Sequence, residues 1–231
     1  MNGEEESMPD LNTSLHVDAL RRFQRARSMP YRLYRAIRGE LSAKAIYGLQ
    51  WGDPETVEPL AFIKKRWVLP YVRPDHNAVE IGPGGGRWTR YLLGFGKLYV
   101  VDYYKELLEE LRKNFNQPEI VFVHNTGTDF PGIPEGEIDF VFSFGTFVHL
   151  DAPLIEAYLH NMRAILKEGG TAVIHYSDKT KVMAQENKSF SENTPDRMRA
   201  MVAHAGFQVV QEDLTTMWHS SLVRFTPESR G

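Results

Sequence analysis

The stretch from Ala78 to Asp102, A-V-E-I-G-P-G-G-G-R-W-T-R-Y-L-L-G-F-G-K-L-Y-V-V-D, constrains this chain more than any other. Ala78, Val79 and Ile81 form a short apolar run of the kind buried on both faces of a parallel sheet. Gly82, Gly84 and Gly86 follow at every second position. Glycines there allow positive φ and let a ligand approach the backbone without meeting a Cβ. Trp88 to Leu93 has helical composition, so the turn is expected to open a helix with its free N–H groups facing the ligand. Leu98 to Val101 makes a second apolar strand, and Asp102 stands at its carboxyl end. Strand, glycine turn, helix, strand and terminal acid describe a site for a nucleotide whose ribose meets the carboxylate.

Glycine spacing narrows the choice of nucleotide. The dinucleotide pattern G-x-G-x-x-G begun at Gly82 calls for a glycine at position 87, which is arginine. The third glycine comes one residue early, at Gly86, and Glu80 stands two residues before the turn. This E-x-G-x-G-x-G run resembles the first motif of class I S-adenosylmethionine-dependent methyltransferases, and "VVDYY" resembles their second. "LKEGG" before the strand at Thr171 resembles the "LKPGG" of many members. The resemblance implies a Rossmann-like α/β fold with a seven-stranded sheet, order 3-2-1-4-5-7-6 and last strand antiparallel, helices on both faces and an N-terminal helical lid. S-adenosylmethionine is the implied cofactor. Its implied contacts are Glu80, Gly82, Gly84, Gly86, Asp102, Tyr103, Thr126, Gly127, Ser143 and Phe144. Many members have an acid where this chain has Thr126, so a backbone contact is expected there.

Composition excludes other chemistries. The 231 residues suit one α/β domain with an appendage. A net charge of −3 argues against a nucleic-acid partner held through phosphates. The chain has no cysteine, which removes disulfides, thiolate nucleophiles and cysteine-bound zinc. No apolar run is long enough for a membrane span, and the acidic start M-N-G-E-E-E-S lacks the features of a signal peptide. A cytoplasmic enzyme is expected, with a small-molecule acceptor, neither nucleic acid nor membrane as partner, no metal, and a homodimer kept open.

In chain order, residues 1–14 are expected to be a disordered tail, residues 15–72 a helical lid and residues 73–231 the cofactor-binding domain. The lid carries a basic face from Arg21 to Arg38, a helix to Leu49, and a second helix from Val57 to Val72 with Leu60, Phe62, Ile63, Trp67, Val68 and Tyr71 inward. Trp51 is its residue nearest a ligand. Further helices are expected at Lys105–Phe115, from an N-cap at Asp151 to Gly169-Gly170, and from Thr194-Pro195 to about Ala205. Strands are expected at Ile120–Val123, Ile138–Phe144 and Thr171–His175, closed by an antiparallel hairpin of Phe207–Asp213 and Trp218–Phe225.

A transferable methyl needs an in-line nucleophile, and a hydroxyl acceptor needs a base. His149, His175 and His219 fall at strand ends that should rim the cleft, and histidine titrates where such a base must. Phe144, Phe147, Tyr176 and Trp218 cluster around the same ends, which points to an acceptor pocket for a ring. The reading is metal-independent O-methylation of a small molecule. N-methylation, a nicotinamide-dependent oxidoreductase and an inactive cofactor-binding partner protein are the alternatives.

Overall fold

A computed structural model describes residues 46–228. The chain divides into two compact units, residues 1–47 and 48–231. The expected tail at 1–14 and the basic helix of the lid up to residue 45 lie outside the described residues. Residues 48–72, assigned above to the lid, belong to the unit that holds the sheet.

That unit is built on seven strands: β1 (Asn77–Ile81), β2 (Lys97–Asp102), β3 (Ile120–His124), β4 (Ile138–Ser143), β5 (Leu166–Ser177), β6 (Phe207–Asp213) and β7 (Ser220–Pro227). Their order is β3-β2-β1-β4-β5-β7-β6. The first five pair in parallel, and β7 runs antiparallel to both β5 and β6. The helices are α1 (Glu58–Ile63), α2 (Lys105–Asn114), α3 (Ala152–Ile165), α4 (Val182–Glu186) and α5 (Pro195–His204).

Alternation along each strand sorts side chains to the two faces. On one face Val79, Val101, Val141, Ala172, Ile174 and Tyr176 pack with Ile155, Leu159 and Met162 of α3 and with Met198 and Val202 of α5. On the other, Phe140 stacks on Tyr71 at 4.8 Å and on Phe95 at 5.7 Å, and Trp88 meets Phe142 edge-on at 5.3 Å. Such ring pairs contribute about 0.5–1.5 kcal/mol each beyond their buried area.

Three local expectations are corrected. Trp88–Leu93 is a run of turns with one 3₁₀ turn at Thr89–Tyr91 and no α-helix. Only residues 87–96 separate the glycine turn from β2, too few for a helix and its two loops. The expected helix over Val57–Val72 is regular only to Ile63. It continues as a π turn at Lys64–Val68 and a 3₁₀ turn ending at Tyr71, and it leaves Phe62 exposed. Pro70 lacks the N–H that a regular helix would need. Asp151 precedes α3 but its side chain makes no capping bond, and the chain passes from Ile165 directly into β5 without reaching Gly169.

Candidate functional site

The carboxyl ends of β1, β2 and β4 meet around the glycine turn. Gly82, Gly84 and Gly86 all have positive φ, at 67°, 56° and 100°. A Cβ on Gly82 would lie 1.9 Å from Thr146 Oγ1, and one on Gly86 would lie 2.1 Å from the Phe115 ring. Glycine is therefore required at both places by conformation and by space. The Gly82 N–H donates to the Val101 carbonyl at 2.8 Å, which holds the turn against β2. Ser143 Oγ donates to the Ile81 carbonyl at 2.9 Å, fixing the end of β4 to the same point.

Two carboxyl groups are buried beneath this turn. Glu80 accepts the Thr89 hydroxyl at 2.6 Å, and burial raises its pKa to about 8. Asp102 accepts the Tyr104 N–H at 2.9 Å, and burial raises it to about 7 despite the backbone donors around it. Both rise because the apolar surroundings penalise the charged form. Beyond Asp102 a cleft of about 280 Å³ is lined by Tyr103, Tyr104, Lys105, Glu106, His124, Asn125 and Thr126. The structure thus gathers Tyr103 and Thr126 at one cleft between the ends of β2 and β3. A glycine cradle without room for a Cβ, next to a buried acid at the following strand end, fits an adenosyl cofactor.

Sequence reasoning missed two residues here. Asn125 is fully buried and its Nδ2 lies 2.9 Å from the Gly127 carbonyl and 3.0 Å from the Tyr158 hydroxyl. The Tyr158 hydroxyl also donates to Gly127, at 3.1 Å. Together they hold the Thr126–Gly127 loop in place. The other is Arg87, which stood only as a break in the glycine pattern. It donates to the Trp51 carbonyl at 3.1 Å and lies over the Phe144 ring at 5.3 Å. Desolvation brings its pKa down to about 10. A lone arginine one residue after a glycine turn carries no signal from which this bridge could be read.

All three candidate histidines belong to one chain of ring contacts. His149 meets Phe190 at 5.5 Å, Phe190 meets His219 at 5.3 Å, His219 meets His175 at 6.2 Å, and His175 lies flat on Phe144 at 4.0 Å. Their local chemistry differs. His175 is buried, and its Nδ1 accepts the Gly145 N–H at 3.1 Å. A backbone N–H can only donate, so the ring proton is on Nε2 and goes to Ser220 Oγ at 2.5 Å. Burial holds its pKa well below the usual value. With both nitrogens engaged, His175 holds the Gly145 turn against β7.

His149 sits in the 3₁₀ turn Phe147–His149 after β4. The Ser189 carbonyl lies 2.7 Å from its Nδ1 and can only accept, so Nδ1 carries the proton and the lone pair is on Nε2. Burial lowers its pKa below 6.5. His219 precedes β7, half-buried, and its Nδ1 has no hydrogen-bond partner among the described residues. Its loop is held by Lys181, whose three protons go to the carbonyls of Met217 and Ser220 and to Ser221 Oγ.

Of the residues expected to touch an acceptor, Trp51 is exposed while Phe147 and Tyr176 are not. Both lie wholly inside the core that packs α3 and α5 on the sheet. Strand alternation sends Tyr176 to the face opposite His175, where it packs in the same core as Phe147. Phe144 is buried under His175 and Arg87.

Residues 78–170 match the family model of a methyltransferase domain. Among curated proteins, the ribosomal RNA small subunit methyltransferases A of Herminiimonas arsenicoxydans and of Janthinobacterium sp. (strain Marseille) are each 38% identical over 66 residues. The matched stretch is 27% of this chain, which spans about a quarter of the relatives' length, 26%. Among solved structures, the complex of the Haloferax volcanii Trm112 methyltransferase activator with a methyltransferase aligns at TM-score 0.63 and 18% identity, over 80% of this chain and 93% of that one. The CcbJ methyltransferase of Streptomyces caelestis aligns at 0.59 and 15%, over 72% and 89%. A SAM-dependent methyltransferase from Aquifex aeolicus aligns at 0.55 and 15%, over 79% and 98%. The match of residues 78–170 to a methyltransferase domain and the seven-strand order β3-β2-β1-β4-β5-β7-β6 give this unit the Rossmann-like fold of the class I S-adenosylmethionine-dependent methyltransferases.

Proposed function

We propose that this protein methylates a hydroxyl oxygen of a small molecule, without a metal, using His149 as general base. The cofactor, when bound, supplies a methyl group on a positively charged sulfur. Gly82, Gly84 and Gly86 give it backbone to lie against, Asp102 takes its ribose hydroxyls, and the Thr126–Gly127 loop flanks its adenine. Glu80 anchors the turn through Thr89. His149 receives the acceptor's proton while the acceptor oxygen takes the methyl. The observation that carries this reading is the tautomer of His149. Its Nδ1–H is committed to Ser189, its basic lone pair is on Nε2, and its lowered pKa keeps it neutral at pH 7. Its turn is also tied to the cofactor cradle, because Thr146 Oγ1 lies 3.4 Å from the Gly82 carbonyl.

Kinetics of His149→Ala test the proposal. Loss of a general base lowers kcat by about 10²–10⁴-fold, with S-adenosylhomocysteine affinity unchanged by calorimetry. The native pH–rate profile should rise through a pKa below the ordinary histidine value. A variant that loses cofactor affinity or melts would make His149 a clamp for the 187–193 loop. Full activity in the variant would point to an amine acceptor that arrives deprotonated. Excess chelator should leave the native rate unchanged.

The ribosomal RNA methyltransferases similar over 66 residues raise a second acceptor class. A chain of net charge −3 and pI near 6.3 is poorly suited to hold a polyphosphate. Transfer to small-subunit ribosomal RNA at rates exceeding every small acceptor would decide for that class.

A further inference from the structure

Beside the histidine cluster the surface opens into a second cleft of about 220 Å³, whose walls include Trp51, Leu60, Met183, Met217, Trp218 and His219. Trp218 is 73% exposed, Trp51 55% and Met183 50%. Apolar side chains of this size gathered at one concavity mark a binding site. Among the described residues the lining contains no Asp, Glu, Lys or Arg, and its polar side chains are Thr216 and His219. The part of a ligand seated here is therefore uncharged. Indole faces and thioether sulfurs both favour contact with aromatic rings over saturated ones. The volume lies below the roughly 300–1,000 Å³ of pockets for drug-sized ligands, which limits the occupant to one or two rings.

Two lining residues connect this cleft by contacts to the glycine turn and the histidines. Trp51 is bonded through its carbonyl to Arg87, next to the glycine turn. His219 touches His175 and Phe190, and Phe190 touches His149. A ring against the tryptophans thus leaves its substituent beside the histidines. We propose that this cleft is the acceptor site, and that it takes a neutral aromatic compound of one or two rings carrying the hydroxyl. The proposal rests on the methyltransferase reading, and its test separates the two.

The probe is 2-naphthol, titrated by calorimetry into the ligand-free protein and into protein saturated with S-adenosylhomocysteine. Decahydro-2-naphthol, of the same carbon skeleton without aromaticity, is the comparison. Saturable binding of 2-naphthol is expected, at least tenfold tighter than that of the saturated alcohol. Trp218→Ala and Met183→Ala should each weaken it severalfold or more while S-adenosylhomocysteine affinity stays within twofold. The side chain of Trp218 is mostly in solvent, so its removal leaves the fold intact. Absence of saturation, equal binding of the saturated alcohol, or indifference to both variants would overturn the proposal. So would sedimentation showing a dimer of the native protein that Trp218→Ala dissolves, because a second copy would then be the occupant. Failure of S-adenosylhomocysteine to bind would sink the methyltransferase reading, while the titration of ligand-free protein still reads the cleft by itself.

Discussion

If Asp102 takes the ribose hydroxyls, as proposed, recognition and proton chemistry are joined in one side chain. Its carboxyl is buried at the end of β2, and burial raises its pKa to about 7. Ribose hydroxyls donate to an ionised carboxylate, so binding draws on the deprotonated form. Below pH 7 that form becomes scarce and binding must release a proton. Affinity for S-adenosylhomocysteine is therefore expected to fall progressively as pH drops below 7 and to level off above 8, as measured by calorimetry in buffers of differing ionisation enthalpy. Asp102→Ala should remove this dependence and weaken binding by about 1.5–3 kcal/mol, the range for hydrogen bonds to a charged group. His175 differs in that both its ring nitrogens are held by the fold. From sequence it was equivalent to His149, since both follow apolar strands. Only the Gly145 N–H on one nitrogen and Ser220 on the other distinguish them.

At the scale of elements, the glycine turn is where conformation and packing coincide. Gly86→Ala would force a Cβ into the Phe115 ring and onto Leu111 at a φ of 100°. Left-handed backbone alone costs about 1–2 kcal/mol for a residue with a side chain. The clash adds to this, so urea denaturation should show a loss larger than that of Gly132→Ala, whose φ is 74° and whose Cβ would meet nothing within 4 Å. The strands were legible because buried parallel strands are apolar runs bounded by turn residues, and their order followed from the resemblance. The elements misread were those whose form is decided by distance. The segment after Gly86 has helical composition but must reach β2 within residues 87–96. The 57–72 segment has helical periodicity but meets Pro70 and the flat ring of Phe140. Phe147 and Tyr176 looked like pocket walls because periodicity does not say which face of the sheet is covered by α3 and α5.

Across the whole molecule, buried titratable groups set the pH range in which the fold is most stable. Glu80 and Asp102 are raised to about 8 and about 7, from ordinary values near 4.5 and 3.8. Between the ordinary and the raised values the folded chain holds protons that the unfolded chain has lost, so stability falls as pH climbs through that window. His175 is shifted the other way, well below 6.5. The unfolded chain takes up its proton first, so stability falls as pH drops below 6.5. From about pH 4 to 6.5 the two effects oppose each other. From 6.5 to 8 the two raised carboxyl groups act to lower stability. Arg87, whose charge lies near Glu80, moderates the decline without abolishing it. The ligand-free protein is therefore expected to show a Tm that falls steadily from pH 6.5 to 8.5. Glu80→Gln keeps the shape and an acceptor for the Thr89 hydroxyl but cannot ionise, and it should flatten most of that fall. A Tm that rises from pH 6.5 to 8.5, or a slope identical in Glu80→Gln, would show that Glu80 is ionised in the fold and paired with Arg87 instead of protonated under the turn.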